Sequence, residues 1–343
     1  MKCLRLYNRF NLKYDDILIP KIKDNYVLVN VKSTTICRSD FHYYKLGKIG
    51  SVKVKKPLIL GHEFSGIIVQ KGRNVSGIEI GERVAVDPSL SCGTCEYCLN
   101  DNPNLCPKVK FCGTPPNNGS LAEYYLAHMD QIIKLPDNIS FTEGALLEPL
   151  GVAIHSIRLA KIKKNNNIAI IGLGPIGILI YKVLNLNKNI SISGFDILKY
   201  RVDFVKKRVN PNSFLLCKSQ LKSKKGFKKY VNNFDIVFEA AGTENAINEA
   251  LEFAKPGGKI ILIGICENDK ILLDSSLYRR KGLTLKGVRR MKNTYPYAIE
   301  LLESKRIEVC DLITHSFELK DGNKAFKLLK NYSDNVIKIE IKT

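Results

Sequence analysis

Three groups of residues in this chain have the types and spacings of working chemistry. The densest is CGTCEYCLNDNPNLC, which places thiols at Cys92, Cys95, Cys98 and Cys106 in a C-x2-C-x2-C-x7-C array. Two-residue spacers let neighbouring thiolates fold back onto one ion. Four sulfurs at about 2.3 Å complete a tetrahedral zinc and leave no position for water, so such a site is structural. An iron–sulfur cluster is the other metal group that related spacings serve, and Pro107 follows the fourth thiol as it does in ferredoxins. The long last spacer and the lack of a second cysteine set favour zinc.

The second group is split between short segments. CRSDFHYY supplies Cys37, Ser39, Asp40, His42 and Tyr43; GHEFSG supplies His62 and Glu63; LLEPLGVAIH supplies Glu148. A cysteine, a histidine and a carboxylate make a three-ligand zinc site with one open position, the pattern of catalytic zinc. Taken singly, each has an ordinary role: Cys37 as a core thiol, His62 as a turn residue, Glu148 as an acid near a helix start. Their joint presence beside a thiol knuckle points to metal. Whether Glu63 or Glu148 coordinates is open at this stage. Two zinc ions per chain are expected, one catalytic and one structural.

The third group is G-x-G-x-x-G at Gly172, Gly174 and Gly177, with Ile176 inside it. Alone this pattern is weak. Here a β-branched run, Ile168 to Ile171, precedes it, a helical stretch follows, and Asp196 ends the next strand. The first glycine makes a tight turn, the second lets backbone approach a pyrophosphate, and the third lets helix and strand pack closely. Asp196 favours NAD, because its carboxylate accepts from ribose hydroxyls and repels a 2′-phosphate. Lys199 and Arg201 lie close by, and Arg201 joins the expected cofactor contacts.

These groups need elements to hold them. The first 145 or so residues read as short strands and turns, with Tyr26 to Val31 and Phe64 to Val69 the clearest strands. Near Glu148 the rhythm changes to apolar strands alternating with helices: NNIAIIGLGPIG, SISGFDI, FDIVFEAAG and GGKIILIG. That alternation predicts a parallel, doubly wound sheet. After Leu285 the character is mixed again, with a helix expected over Tyr295 to Ser304. Three segments result: 1–147 with both metal sites, 148–285 as the dinucleotide-binding domain, and 286–343 returning to the first.

Composition narrows the class. With 343 residues, 45% of them hydrophobic and 25% charged, the chain is globular and long enough for two domains. The glycine- and proline-interrupted run from Ile168 to Tyr181 is too short to span a bilayer, and MKCLRLYNRF lacks a signal-peptide core. A cytoplasmic protein without a membrane partner is therefore expected, and its ten cysteines then suggest metal rather than disulfides. The net charge of +21 invites a nucleic-acid partner. The lysines, however, are spread along the chain with only short runs such as Lys222 to Lys229, so solvated faces are the expectation and no nucleic acid is called for.

On these motifs the chain resembles the zinc-containing medium-chain alcohol dehydrogenases, and within them the sorbitol (L-iditol or xylitol) dehydrogenase branch. The resemblance is carried by ICRSDFHYYKLGKIG, KKPLILGHEFSG, the knuckle, FCGTPPNNGSLAEYY, LPDNISFTEGALLEPL, GLGPIG and GVRRMKNTYP. It implies an α/β architecture: a GroES-like, mostly-β catalytic domain, an inserted Rossmann domain, and a homodimer or homotetramer. It also implies NAD-linked oxidation of a secondary hydroxyl of a small polyol. Cys37, His62 and Glu63 would hold zinc, Glu148 would ligate it or order its water, and Ser39 and His42 would relay the proton. Tyr43 and Arg290 would meet substrate hydroxyls, though Tyr43 has an ordinary reading as a core aromatic and Arg290 as a surface charge. Arg38 stands where this branch commonly has glycine; in ordinary alcohol dehydrogenases an arginine there contacts pyrophosphate. Met291 replaces a tyrosine of the resembling enzymes, so no single polyol is named. The rivals are a dehydrogenase of the same architecture acting on threonine, a sugar phosphate or an aminocyclitol, and a non-catalytic NAD-sensing or nucleic-acid-binding module.

Overall fold

The computed structural model describes residues 1–343 except 211–213 and 218–227, and all of Asn331 but its side chain. Most of the basic run Lys222 to Lys229 lies outside the described residues. The chain divides into two compact units, Met1–Glu148 with Tyr295–Thr343, and Pro149–Thr294.

In the first unit, β1 (Lys2–Asn8) and β2 (Asn11–Asp16) form a hairpin. β3 (Tyr26–Thr35) is the spine of a mostly antiparallel sheet, and α1 (Arg38–Leu46) follows it directly. β4 (Glu63–Lys71), β5 (Arg83–Val86), β6 (Tyr124–His128) and β7 (Ile132–Lys134) complete its first part. Alternating Val27, Val29 and Val31 of β3 meet Phe64 and Ile68 of β4 and Val84 and Val86 of β5 in one buried cluster, the period-two burial of a strand. α2 (Phe141–Ala160) carries Glu148 at its middle.

The second unit is a six-stranded parallel sheet. Its strands are β8 (Asn167–Ile171), β9 (Ser191–Asp196), β10 (Phe214–Cys217), β11 (Phe234–Glu239), β12 (Ala254–Leu262) and β13 (Thr284–Gly287). Helices α3 (Pro175–Leu184), α4 (Lys199–Arg208) and α5 (Glu244–Phe253) lie between them. The order β10-β9-β8-β11-β12-β13 reverses between β8 and β11, the doubly wound order whose switch point takes ligands. Phe195, Phe234 and Phe253 pack ring on ring in its core.

The chain then returns to the first unit through α6 (Tyr295–Glu303), β14 (Ile313–Glu318), α7 (Gly322–Asn331) and β15 (Lys338–Lys342). β15 pairs with β3, so residues from both ends of the chain share one sheet. The expected boundary at 285 falls instead at Thr294. β13 stays paired with β12 through Gly287, and Arg158 of α2 donates to the carbonyls of Lys292 and Asn293. Among the described residues no helix is long and apolar enough to cross a membrane.

Candidate active site

The register of the first sheet gathers the reactive residues. Thr35, at the end of β3, pairs with Glu63 at the start of β4 and with Glu340 of β15. Cys37 follows two residues later as the N-cap of α1. Asp40, at the third helical position, accepts from the Cys37 N–H at 3.0 Å, closing a capping box. Its other oxygen accepts from the Gly61 N–H at 3.0 Å and lies 3.3 Å from His62 Nδ1. One carboxylate thus ties the start of the helix, the Gly61 turn and the imidazole together. Burial opposes the charge on Asp40, but His62 and those N–H groups outweigh it and hold its carboxyl below the ordinary value. Burial likewise disfavours a charged His62, yet Asp40 and Cys37 carry its pKa well above the ordinary imidazole value.

The Cys37 sulfur, a His62 nitrogen and a Glu63 oxygen all lie within 4.8 Å of one another. Glu63 is held from behind by the Thr35 hydroxyl and by Lys338 Nζ of β15 at 2.5 Å. Burial works against a charged Lys338, but Glu63 and Cys37 raise its pKa. Soft sulfur, imidazole and carboxylate converging on one point fit zinc, and the Asp40–His62 contact is the outer-sphere support that metal-binding histidines need. Glu148 is buried but is not one of the three converging groups. Burial, ahead of the charges around it, pushes its carboxyl up to about 7. The Tyr295 hydroxyl, buried and without a hydrogen-bond partner, sits in the field of Asp87, Glu148 and Glu63.

Cys92, Cys95, Cys98 and Cys106 form the second convergence. Their sulfurs also lie within 4.8 Å of one another, with 3.4 Å between Cys95 and Cys98 and 3.5 Å between Cys92 and Cys106. A zinc tetrahedron with bonds of about 2.3 Å has edges of about 3.8 Å, so the four thiols fit that ion. None of the ten cysteines is in a disulfide, and the Thr94 N–H leads the groups that draw Cys92 down to about 6.

In the second unit, the turn after β8 has the shape the glycine pattern requires. Gly172 has φ 95, and a Cβ on Gly177 would stand 1.9 Å from the Gly172 carbonyl oxygen. A Cβ on Gly174 would meet nothing closer than Arg201 Nη1 at 3.7 Å, which leaves the helix N-terminus of α3 open to an anion. Ile176 is half-buried in the first turn of α3. Asp196, at the end of β9, accepts from the N–H groups of Leu173 (2.7 Å) and Leu198 (2.8 Å), and Arg201 Nη1 is 3.6 Å away. These residues fit a dinucleotide.

Ser39 and His42 lie on α1, half-buried and buried. Tyr43 is packed in the hydrophobic cluster with Leu4, Leu6 and Phe326. The Arg38 guanidinium lies over the rings of Phe41 and Tyr332, at 4.6 and 5.0 Å. Arg290 is half-buried with a left-handed backbone, φ 56, and belongs with Met291 to the second unit. Asp40, Thr35, Lys338 and Tyr295 join the site without a role readable from residue type and spacing. Asp40 alone has a local signal, the C-x-x-D spacing of a capping box.

Two family models match the chain: the alcohol dehydrogenase GroES-like domain over residues 23–137 and the zinc-binding dehydrogenase domain over residues 175–304. The chain belongs to the zinc-containing medium-chain alcohol dehydrogenase family and is an oxidoreductase. A probable D-xylulose reductase A of Neosartorya fischeri is 39% identical over 325 residues, covering 93% of this chain and 90% of the relative. The sorbitol dehydrogenase of Bacillus subtilis is 32% identical over 343 residues, covering 99% and 97%. A crystal structure of an Escherichia coli oxidoreductase of unknown specificity superposes with a TM-score of 0.90 at 30% identity, covering 99% of this chain and 98% of that one.

Proposed function

We propose that the protein interconverts a secondary alcohol of a small polyol and the corresponding ketose with NAD. The convergence of Cys37, His62 and Glu63 carries this reading, since that donor set is built for a metal with an open position. Cys37, His62 and Glu63 would hold zinc, which would supply Lewis acidity, and the Gly172–Gly177 turn with Asp196 would hold NAD, which would supply the hydride acceptor. The chain's own residues do the rest. Asp40 fixes the His62 ring, and Lys338 with Thr35 fixes Glu63, so the donors are preorganised. Glu148, with its pKa near neutrality, can hold or release a proton beside them. Ser39 and His42 of α1 carry the substrate hydroxyl proton outward. Arg38, Gly172, Gly174, Ile176, Gly177, Asp196 and Arg201 are the cofactor contacts, and Asp196 sets the preference for NAD. Tyr43, Glu148 and Arg290 are the substrate contacts of this reading. The similarity to a xylulose reductase and a sorbitol dehydrogenase supports the polyol class. We further read the chain as a cytoplasmic homodimer or homotetramer that acts on free small molecules.

The test is a panel of xylitol, sorbitol, iditol, ethanol, threonine and a sugar phosphate with NAD and with NADP, followed by NADH or NADPH absorbance. A site whose buried polar groups pair with neighbouring hydroxyls should prefer a polyol over ethanol by about 10³- to 10⁴-fold in kcat/KM. Ethanol matching every polyol, or turnover of the phosphorylated sugar alone, rejects the proposal.

A further inference from the structure

The loops that leave the C-terminal ends of β11 and β12 meet at one residue that the reaction does not use, and the turn after β8 rests on the first of them. Glu239 is the last residue of β11 and is wholly buried. Its Oε1 accepts from the N–H groups of Ala241 at 2.9 Å and Gly242 at 2.7 Å. Its Oε2 is buried without a hydrogen-bond partner and lies 2.9 Å from where a Cβ on Gly264 would stand. Gly264 belongs to the loop after β12, and the N–H groups of Ile263 and Gly264 reach the Glu239 carbonyl at 2.9 and 3.1 Å. One residue therefore grips the loops after β11 and β12 together.

The grip extends to the glycine turn. The Ala240 N–H donates to the Ile171 carbonyl at 2.8 Å. A Cβ on Gly172 would fall 2.7 Å from the Ala241 nitrogen, so the first glycine of the fingerprint rests directly on the loop that the Glu239 carboxylate holds. β8 and β11 are the neighbours between which the strand order reverses. A buried carboxylate is costly unless its partners compensate. Here the partners are backbone N–H groups at the start of a loop, an arrangement that fixes loop shape.

We propose that Glu239 is a positioning residue for the dinucleotide, its carboxylate holding the Ala241–Gly242 turn in the shape that seats the Gly172 turn and the cofactor. This rests on the cofactor reading of Gly172–Gly177. Burial outweighs the N–H groups of Gly242 and Ala241 and raises the Glu239 pKa. In either protonation state Oε1 remains an acceptor, so the role does not depend on charge.

The experiment is an equilibrium titration of NADH fluorescence with the zinc-loaded wild type and with Glu239→Ala and Glu239→Gln, alongside KM for NAD and kcat. Glu239→Ala removes the acceptor and should weaken NADH binding and raise KM for NAD by about tenfold, with kcat at saturating cofactor within about threefold of wild type. Glu239→Gln keeps an oxygen for the Ala241 and Gly242 N–H groups and should bind NADH within about threefold of wild type. Glu239→Asp falls one methylene short of both N–H groups and should behave like Glu239→Ala. It decides the matter if the alanine variant is not recovered folded. NADH binding by the alanine or aspartate variant as tight as wild type overturns the proposal. So does a loss confined to melting temperature and active fraction with Kd unchanged, the mark of a merely structural role. Failure of the wild type itself to bind NADH overturns this proposal together with the cofactor reading beneath it.

Discussion

Asp40 shows how much of a metal site lies outside its ligands. Both of its oxygens are engaged, one on the Cys37 N–H and one between the Gly61 N–H and His62 Nδ1. With Nδ1 committed, the ring presents Nε2 to a metal, and its orientation is fixed by a group that is itself fixed by a helix start. Asp40→Asn should therefore lower the zinc affinity of the Cys37–His62–Glu63 set by about 10- to 100-fold and leave the thiol knuckle loaded. Chelator competition followed by elemental analysis checks this, and zinc retention equal to wild type at both sites would contradict it. Residue types and spacing single out Cys37, His62 and the four knuckle thiols, but they leave Glu63 and Glu148 as alternatives until β3 and β4 pair. Lys338 and Thr35 were not legible, because a lysine near the chain end and a threonine at a strand end carry no chemical signature until the sheet pairs β15, β3 and β4.

Between strands and helices the fit is closest at the β8–α3 turn, where the role of each glycine can be read as distance. The Gly177 position leaves 1.9 Å to the Gly172 carbonyl oxygen, a space no Cβ can share. Gly177→Ala must push α3 away from β8, and a shift of this kind costs about 1–3 kcal/mol. It should lower the urea midpoint and abolish measurable NADH binding together, because the same turn carries both. An alanine variant that binds NADH normally would show that the turn does not seat the cofactor. The strands around this turn were readable because β-branched runs there end in glycine. FLLC of β10 and TLKG of β13 were not assigned: four apolar residues do not distinguish strand from helix, and a polar edge strand lacks a pattern. α2 was not assigned either. Gly144, Pro149 and Gly151 lower helix propensity, yet the buried run around Leu146, Leu147 and Leu150 holds the helix across them.

At the scale of the whole molecule, a buried histidine makes stability respond to pH. His155 is buried on α2, and burial, then Arg158, Lys292 and Lys286, lowers its pKa from 6.5 to about 4. Between those two values the unfolded chain binds a proton that the folded chain refuses. Stability is thus fully present above about 6.5 and falls as the pH drops towards 4, by up to about 3 kcal/mol from this group. Urea midpoints of wild type and His155→Gln, compared from pH 7.5 to 4.5, should converge on acidification; parallel curves would show that His155 titrates normally. The even spread of lysine that produces the +21 charge was visible in the sequence. The insertion of one unit within the other was visible as changes of rhythm near Glu148 and after Leu285. The measurement that bears most directly on the central claim is zinc content and xylitol- or sorbitol-dependent NADH formation, taken on the same samples of wild type and Cys37→Ser. The wild type should hold about two ions per chain, and the variant should keep the knuckle ion, lose the other, and fall below about a hundredth of wild-type turnover. A Cys37→Ser protein that retains wild-type turnover would contradict the account.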